Sequence, residues 1–351
     1  KNLISEIVAL KDYEKIYGDI GNSKSIASII KYDKKSKLEK TIEVSKKEII
    51  KGSGCIAIVG AGNFTKMTLL PALKKSNTQI KHIVSSGGLS GTELAKKYSI
   101  NRSTTDYKLV LNDSDIDLVM ITTRHNLHAS MVVDALKKNK HVFVEKPLAL
   151  NFKELDIIDK AYDKSQGTLM VGFNRRFSPH IKKIKSLVGS GPISLVATMN
   201  AGFISPDVWV HDMEIGGGRI IGEACHYLDL MVFLSGSKIK SICMNSLGKN
   251  PNENTDTASI LVKMENGSNG VINYFSNGSK SFMKEHFKVF SEGKILVMDN
   301  FIKTSGYGFK GFSKLKTKLD KGHTAQFELI SEKIKSGKGC SLIPYDDLVN
   351  V

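Results

Sequence analysis

The sequence predicts an α/β protein in which a doubly wound parallel sheet of the Rossmann type precedes an α+β half with an open, largely antiparallel sheet. Two observations predict the first half. Short apolar runs alternate with amphipathic helical stretches from Cys55 onward, and a glycine-rich turn follows the first run. After Asn174 the strands become longer and alternate apolar with polar residues, which is typical of antiparallel strands covered on one face.

In the first half, the pattern places strands at 55–59, 80–84, 118–121, 141–144 and 169–171. Helices are expected at 68–75, 92–98, 129–138 and from Asn151, a predicted N-cap, to Tyr162. In the second half, strands are expected at 194–201, 239–244, 258–264, 270–274, 287–290 and 294–298. The change of pattern divides the chain into an N-terminal extension (1–52), a first domain (53–173) and a second domain (174–351).

Composition and charge are those of an ordinary globular protein. The chain has 351 residues, 41% of them hydrophobic and 25% charged, which is enough for two cores. No apolar run approaches the roughly 18 residues of a membrane span, and the first residues show no signal peptide, so we expect a cytoplasmic protein without a membrane partner. The net charge of +16 comes from scattered lysines, which argues against nucleic-acid binding. The widely spaced cysteines predict neither disulfides nor a metal site.

The first strand ends in the turn 60–65 (GAGNFT), and a helix follows. Gly60 permits the tight turn, and Gly62 lets the backbone approach a pyrophosphate whose charge the helix N-terminus stabilises. Thr65 stands where a third small residue is usual, so we expect the helix to lie slightly farther from the strand. A simple strand-to-helix turn is the alternative interpretation, and the strand–turn–helix context favours a dinucleotide site.

The end of the second strand selects between dinucleotides in such folds, because an acidic residue there binds the ribose hydroxyls of NAD. Ser85 and Ser86 occupy this place, and a hydroxyl group can bond either a ribose or a 2′-phosphate. The sequence therefore predicts NAD or NADP and leaves the choice open.

Five further segments complete a family resemblance. They are 122–128 (TTRHNLH), 145–147 (EKP), 172–177 (GFNRRF), 216–218 (GGG) and 222–229 (GEACHYLD). In this order they strongly resemble the Gfo/Idh/MocA oxidoreductases, from about Cys55 to the C-terminus.

The resemblance implies the catalytic residues. Lys146 matches the lysine that lies between nicotinamide and substrate, and His226 matches the usual acid/base. Many relatives carry an aspartate where this chain has Gly222, and the adjacent Glu223 is the candidate replacement. The residue types suit the chemistry, since oxidation of an alcohol needs a base for the hydroxyl proton and a cation beside the developing negative charge.

The remaining site residues are expected where parallel strands end, because ligands gather there in such sheets. Expected around the cofactor are Gly60, Gly62, Asn63, Phe64, Ser85, Ser86, Thr122, Thr123, His125, His128, Glu145 and Lys146. Expected around the substrate are Asn174, Arg175, Arg176, Trp209, His211 and His226. A guanidinium group matches a carboxylate or a diphosphate, although one of the two arginines is expected to be structural. Asp229 is expected either to orient His226 or to be a solvated cap.

The first fifty residues carry a second resemblance. The stretches 10–17 (LKDYEKIY) and 25–30 (SIASII) are similar to the C-terminal tail of zinc-type medium-chain alcohol dehydrogenases. This implies a fusion of the two enzymes, with an unrelated basic extension as the alternative.

These observations lead to one main hypothesis, which is hydride transfer between NAD(P) and a carbinol of a sugar, nucleotide-sugar or cyclitol, with surface-polysaccharide biosynthesis as the expected setting. A glycoside hydrolase that uses NAD for transient oxidation is the first alternative. A non-catalytic sensor or scaffold is the second, supported by the missing aspartate at Gly222. The resemblance also implies a homo-oligomer, a dimer or tetramer formed through the open sheet.

Overall fold

The computed structural model describes residues 3–18, 26–32 and 39–351, which fall into two units, 1–40 and 41–351. In the first unit, strand β1 (Glu6–Ala9) pairs in parallel with strand β2 (Ser28–Lys31), and a single helical turn, α1 (Glu14–Tyr17), follows β1. The stretch 10–17 (LKDYEKIY) thus contains a helix, and the stretch 25–30 (SIASII) contributes residues 28–30 to a strand. Ser25, which begins the second stretch of the alcohol dehydrogenase resemblance, lies outside the described residues.

A seven-stranded sheet forms the centre of the first half of the second unit. Its strands are β3 (Thr41–Glu43), β4 (Ile56–Val59), β5 (Ile80–Val84), β6 (Arg102–Thr104), β7 (Leu118–Ile121), β8 (His141–Val144) and β9 (Leu169–Val171). They are ordered β3-β6-β5-β4-β7-β8-β9, and every pair is parallel except β3 with β6. All residues of β4 and β7 are buried, as expected of parallel strands covered on both faces.

Five helices connect these strands: α2 (Leu70–Lys75), α3 (Leu89–Tyr98), α4 (Tyr107–Asn112), α5 (His128–Lys137) and α6 (Phe152–Tyr162). The predicted N-cap of α6 is confirmed, because the Asn151 side chain accepts a hydrogen bond from the backbone N–H of Glu154 at 3.0 Å. Glu154 in turn accepts one from the N–H of Leu150 at 2.7 Å. The helix expected at 68–75 begins earlier, with a π-helical segment, Thr65–Leu69, ahead of α2.

An eight-stranded open sheet forms the second half. After α7 (Pro179–Leu187) come β10 (Ser194–Asn200), α8 (Cys225–Ser235), β11 (Ile239–Ser246), β12 (Thr257–Met264), β13 (Asn269–Phe275), β14 (Glu285–Ser291), β15 (Lys294–Asp299), β16 (Lys303–Tyr307) and β17 (Lys314–Lys316). The order is β11-β12-β13-β10-β14-β15-β16-β17, and all pairs are antiparallel except β10 with β13. Helices α7 and α8 share an apolar cluster with one face of this sheet.

Three segments from outside residues 53–173 join the first half. Strand β3 pairs with β6, and helix α9 (His323–Lys335) places Phe327 and Ile330 in the same apolar cluster as β4. A last helix, α10 (Tyr345–Asn350), contributes Leu348 to this cluster. The sequence did not indicate these memberships, because none of the three segments carries a motif. The domain ranges 1–52, 53–173 and 174–351 stay predictions.

In residues 3–18, 26–32 and 39–351, no helix has both the length and the apolar character that crossing a membrane requires. Within the same ranges, no group of three or more His, Cys, Asp or Glu side chains is arranged to hold a metal ion.

Candidate active site at the carboxyl edge of the parallel sheet

The glycine turn after β4 has the geometry that a dinucleotide requires. Gly60 has a φ of +115°, and a Cβ there would come within 2.6 Å of Thr122 Oγ1, so no other residue fits without strain. A Cβ at Gly62 would meet nothing within 4 Å, so the backbone there borders open space that a phosphate can approach. The residues present therefore fit a bound dinucleotide.

Thr65 ties this turn to the helix that follows. Its side chain is fully buried, and its hydroxyl donates to Gly60 O at 2.8 Å and lies 2.7 Å from Thr122 Oγ1. The sequence predicts a wider spacing between the helix and the strand at Thr65. In the structure, two hydrogen bonds hold the threonine hydroxyl between them. Asn63 is exposed at the turn, whereas the ring of Phe64 packs at 6.0 Å from that of His323 in α9.

The two serines after β5 differ in availability. Ser85 is buried, and its hydroxyl accepts a hydrogen bond from the N–H of Gly91 at 3.2 Å. Ser86 is exposed. Of the two, only Ser86 presents a free hydroxyl group at the position that selects the cofactor.

His128 joins the loops after β7 and β8. Its Nδ1 lies 2.7 Å from Pro147 O, and its Nε2 lies 3.2 Å from Thr123 O. Burial lowers the pKa of His128, so the ring is neutral and donates from one nitrogen, which the shorter contact identifies as Nδ1. The side chain expected near the nicotinamide therefore holds two loops together.

Lys146 connects the parallel sheet to the segment that leads into α8. It follows β8, and its Nζ donates to Gly222 O at 2.6 Å, across 76 positions of sequence. Gly222 lies in a π-helical segment, Ile220–Ala224, immediately before α8. The structure thus brings the lysine to within one helical turn of His226.

His226 is a buried, neutral imidazole, with 6% of its surface exposed. Burial, followed by the charges of Arg175 and Lys146, holds its pKa well below the usual value. Its Nδ1 is buried and has no hydrogen-bond partner among the described residues. A neutral histidine with a free nitrogen is able to accept a proton.

Glu223, the candidate third catalytic residue, is held by cations. Its carboxylate accepts a hydrogen bond from Arg219 Nε at 3.3 Å and lies 3.9 Å from Lys284 Nζ. Two cations of the protein therefore already engage the carboxylate.

His125 occupies the space beside Gly222. A Cβ at position 222 would lie 3.1 Å from His125 Cε1. Its Nδ1 lies 2.7 Å from Gly216 O, to which it donates, so Nε2 carries the lone pair. Burial is the main cause that lowers the pKa of His125 to about 4, and the charge of Lys146 adds to it. Sequence analysis assigned His125 to the cofactor, whereas the structure places it against the backbone that Lys146 also contacts.

The two arginines after β9 bind carboxylates of the protein itself, which corrects the expectation that they reach the substrate. Arg175 donates through Nε and Nη2 to Glu285 at 2.9 and 3.1 Å. Arg176 donates to Asp229 at 2.8 Å and to Asp347 at 3.1 Å. Buried guanidinium groups require such partners, because an unpaired buried charge is costly.

Asp229 therefore neither orients His226 nor acts as a solvated cap. Burial raises the pKa of Asp229 to about 7, against the opposing effect of Arg176. Asn174 is also structural, since its Nδ2 donates to Lys321 O at 2.7 Å.

Glu285 is the centre of a network that the sequence did not reveal. Besides Arg175, its carboxylate accepts hydrogen bonds from Lys321 Nζ at 2.5 Å and from the Tyr227 hydroxyl at 2.9 Å. The network lies beside His226, whose pKa is lowered by both Arg175 and Lys321. Arg175 and Tyr227 lie in the motifs 172–177 and 222–229, whereas Glu285 and Lys321 lie in none, so the sequence does not reveal the network.

Glu145 packs against Gly172. A Cβ at Gly172 would come within 2.7 Å of Glu145 Oε1, so the glycine makes room for the carboxyl group. Desolvation raises the pKa of Glu145 to about 7, although the charge of Lys146 opposes this effect. The Glu145 carboxyl group is therefore partly protonated near neutral pH.

Trp209 and His211 lie in a 3₁₀ turn beside His125. The Trp209 ring meets the His125 ring edge-on, with centroids 4.9 Å apart. Both Trp209 and His211 line a cavity of about 730 Å³. The structure thus brings these predicted substrate residues beside His125, whereas the two arginines are held by carboxylates of the protein.

Comparison with known proteins agrees with this geometry. A family model described as an oxidoreductase family with an NAD-binding Rossmann fold matches residues 55–173, and the Gfo/Idh/MocA C-terminal domain model matches residues 181–294. The oxidoreductase YrbE of Bacillus subtilis is 31% identical over 232 residues, which cover 64% of this chain and 67% of YrbE. Myo-inositol 2-dehydrogenase of Thermotoga maritima is 27% identical over 51% of this chain and 56% of its own length.

Solved structures share the fold. An oxidoreductase domain protein of Kribbella flavida superposes with a TM-score of 0.74 at 21% identity, covering 86% of this chain and 94% of its own. Levoglucosan dehydrogenase in complex with NADH and levoglucosan gives a TM-score of 0.71 at 20% identity, covering 84% and 93%. The motifs, the two sheets and these matches agree, and the chain belongs to the Gfo/Idh/MocA family of oxidoreductases with an NAD-binding Rossmann fold.

Proposed function

We propose that the protein oxidises a secondary alcohol of a sugar or cyclitol, with His226 as the base and Lys146 as the group that stabilises the negative charge developing on the alcohol oxygen. The observation that carries the proposal is the hydrogen bond from Lys146 Nζ to Gly222 O, one helical turn before His226. It brings the cation of the nucleotide-binding half to the imidazole of the other half, on the edge where the glycine turn lies.

The electrostatics of the site suit this division of roles. The bound nicotinamide supplies the acceptor for the hydride that leaves carbon. His226 is neutral before reaction, because burial and neighbouring cations lower its pKa, so it is ready to take the hydroxyl proton. An ammonium group has three donors, and Gly222 O uses one, which leaves Lys146 able to bind the substrate oxygen.

The substrate class rests on the relatives. Several of them are named inositol or levoglucosan dehydrogenases, and their substrates are rings with several hydroxyl groups. Within this class, a nucleotide-activated sugar or uronic acid of surface-polysaccharide biosynthesis is our proposed substrate.

The test is an assay of reduced nicotinamide with NAD and with NADP over a panel of cyclitols, sugars and nucleotide-sugars. We expect Lys146→Ala and His226→Ala each to reduce turnover by about 100-fold or more. Lys153→Ala, which removes an exposed lysine of α6, serves as the control. Equal turnover in the two site variants and the wild type would overturn the proposal.

The same experiment separates the alternatives. Sugar release without net reduction of the cofactor would identify the hydrolase. A ligand that raises the melting temperature while no variant or wild-type protein turns over would identify the sensor.

We also propose that the protein forms a homo-oligomer through the outer face of the open sheet. The strand register aligns Leu261, Val271 and Val196 across three neighbouring strands on this face. Leu261 is 55% and Val196 36% exposed, and such an apolar stripe is typical of an interface. Sedimentation of the wild type and of Leu261→Lys tests this, and we expect the variant to dissociate.

The fusion with a zinc-type alcohol dehydrogenase remains a proposal on the resemblance of residues 10–17 and 25–30. The DNA sequence upstream of the codon for Lys1 tests it directly.

A further inference from the structure

A cavity of about 730 Å³ lies beside the candidate active site. Trp209 and His211 form one side of it, and Arg124, at the end of β7, forms another. The cavity borders His125, because the Trp209 ring meets the His125 ring edge-on and Arg124 precedes His125 in the chain, and His125 packs in turn against Gly222, whose carbonyl oxygen binds Lys146. Its volume falls within the usual range for ligand pockets, roughly 300–1,000 Å³.

Two polar groups of the cavity have no partner in the part of the chain that the structure describes. His211 is only 8% exposed, and its Nε2 is buried without a hydrogen bond. The guanidinium group of Arg124 forms no hydrogen bond or ion pair with a described residue and lies 5.7 Å above the Trp209 ring. A buried ring nitrogen without a partner is costly, which favours a site where a ligand completes the hydrogen bonding.

The charges of the lining decide the class of ligand. Asp207 and Asp212 line the cavity together with Arg124, so carboxylates and a guanidinium group border the same space. Each carboxylate already accepts hydrogen bonds through one oxygen, Asp212 from the N–H groups of Glu214 and Ile215 and Asp207 from the Ser205 hydroxyl. The carboxylates would repel an anion, and the guanidinium group would repel a cation. A hydroxyl group satisfies both, because it donates and accepts. An aromatic ring beside such mixed polar groups fits a polyhydroxylated ring, which has an apolar face and polar edges.

We propose that Arg124, Trp209 and His211 form a subsite for an additional neutral sugar ring, so that the sugar or uronic acid that the protein oxidises is preferred when it carries a second, neutral ring. This proposal rests on the proposed function, since that function assigns the oxidised ring to the space between Lys146 and His226. The second ring extends past His125 into the cavity.

Fluorescence tests the subsite without any turnover. Trp209 is the only tryptophan in the sequence, so the tryptophan emission reports on this cavity and on its border with His125. We expect neutral disaccharides to change the emission saturably, with an affinity about tenfold higher than that of the constituent monosaccharide. If the protein oxidises no alcohol but shows this binding, the proposed function fails and the subsite stands. If it oxidises monosaccharides and no disaccharide binds, the subsite fails and the proposed function stands.

Variants locate the binding. Arg124→Gln changes an exposed side chain, so it leaves the fold intact, and we expect it to weaken disaccharide binding about tenfold and monosaccharide oxidation little. His211→Gln should also weaken disaccharide binding, because it changes the ring whose Nε2 has no partner among the described residues. Phe203→Ala is the matched control, since Phe203 is 65% exposed nearby in the chain and does not line the cavity. Inorganic phosphate binding as tightly as the neutral disaccharide would overturn the proposal, as would unchanged disaccharide affinity in Arg124→Gln.

Discussion

The imidazole of His125 lies against Gly222, so closely that a Cβ at Gly222 would stand 3.1 Å from His125 Cε1. Lys146 contacts the same glycine through its carbonyl oxygen. Because Gly222 has no side chain, the His125 imidazole packs against the same residue whose carbonyl oxygen binds the Lys146 ammonium group. Gly222 lies in the segment that leads to His226.

Gly222→Ala should disturb this arrangement. The added methyl group is tighter against His125 than ordinary contacts allow, so we expect the ring to move and its hydrogen bond to Gly216 O to lengthen. The free energy of unfolding should fall by roughly 1–3 kcal/mol. Denaturant unfolding measures this, with Gly191→Ala as the control, because a Cβ there meets only Glu292 Oε1 at an ordinary 3.5 Å. Equal losses in the two variants would contradict the assigned contact.

Gly60→Ala and Gly62→Ala should separate folding from cofactor binding. At Gly60 the positive φ and the contact with Thr122 make alanine strained, so we expect a loss of about 2 kcal/mol or more of stability. At Gly62 the new methyl group points into open space, so the protein should fold normally and bind the dinucleotide more weakly. Melting temperature and titration with reduced nicotinamide cofactor report the two effects. A Gly62→Ala protein with unchanged cofactor affinity would argue against this position of the pyrophosphate.

Stability should decline in mild acid because of buried histidines. The pKa values of His125 and His323 are both lowered to about 4, chiefly by burial. Between that pH and the ordinary histidine value of about 6.5, the unfolded chain binds protons that the folded protein does not, so their contribution to stability is lost as the pH falls through this window. Unfolding free energies measured from pH 7 to 4.5 test this, and His323→Asn should flatten the curve. An unchanged slope in this variant would contradict the assignment.

The acid limb of activity should depend on Lys321. Its charge is among the causes that lower the pKa of His226, so the base stays unprotonated below the usual histidine range. Lys321→Gln removes that charge, and we expect the acid limb of kcat/KM to move to higher pH. Lys316→Gln, at an exposed lysine of β17, should leave the profile unchanged. Identical profiles in the two variants would rule out electrostatic tuning by Lys321.

Much of the fold was predictable, because local rules control it. The strand, glycine turn and helix around Gly60 follow from apolar runs and from the conformation that only glycine adopts easily. Strand β3 was not predicted, since three residues at a sheet edge carry no periodicity. The π-helical segment Thr65–Leu69 ahead of α2 was not predicted for a similar reason, because its side chains fit an ordinary helix equally well.

The candidate site was predicted where motifs name its residues. Lys146 and Trp209 both lie at the carboxyl edge of the parallel sheet. Lys146 follows strand β8, and Trp209 lies in a loop, where its ring contacts His125. Arg175 and Arg176 were assigned to the substrate because a guanidinium group matches any carboxylate, and the sequence does not show that Glu285 and Asp229 are nearer. Glu285 lies 110 positions from Arg175 in the chain, so only the tertiary structure reveals the pair.

The return of helix α9 to the first core has a practical consequence for protein engineering. Phe327 and Ile330 are wholly buried among the side chains of the nucleotide-binding half. A fragment that ends at residue 173 would expose that apolar surface to water, and aggregation would follow. Transplanting this half into a chimaera therefore requires a linker that carries residues 323–335 along with it.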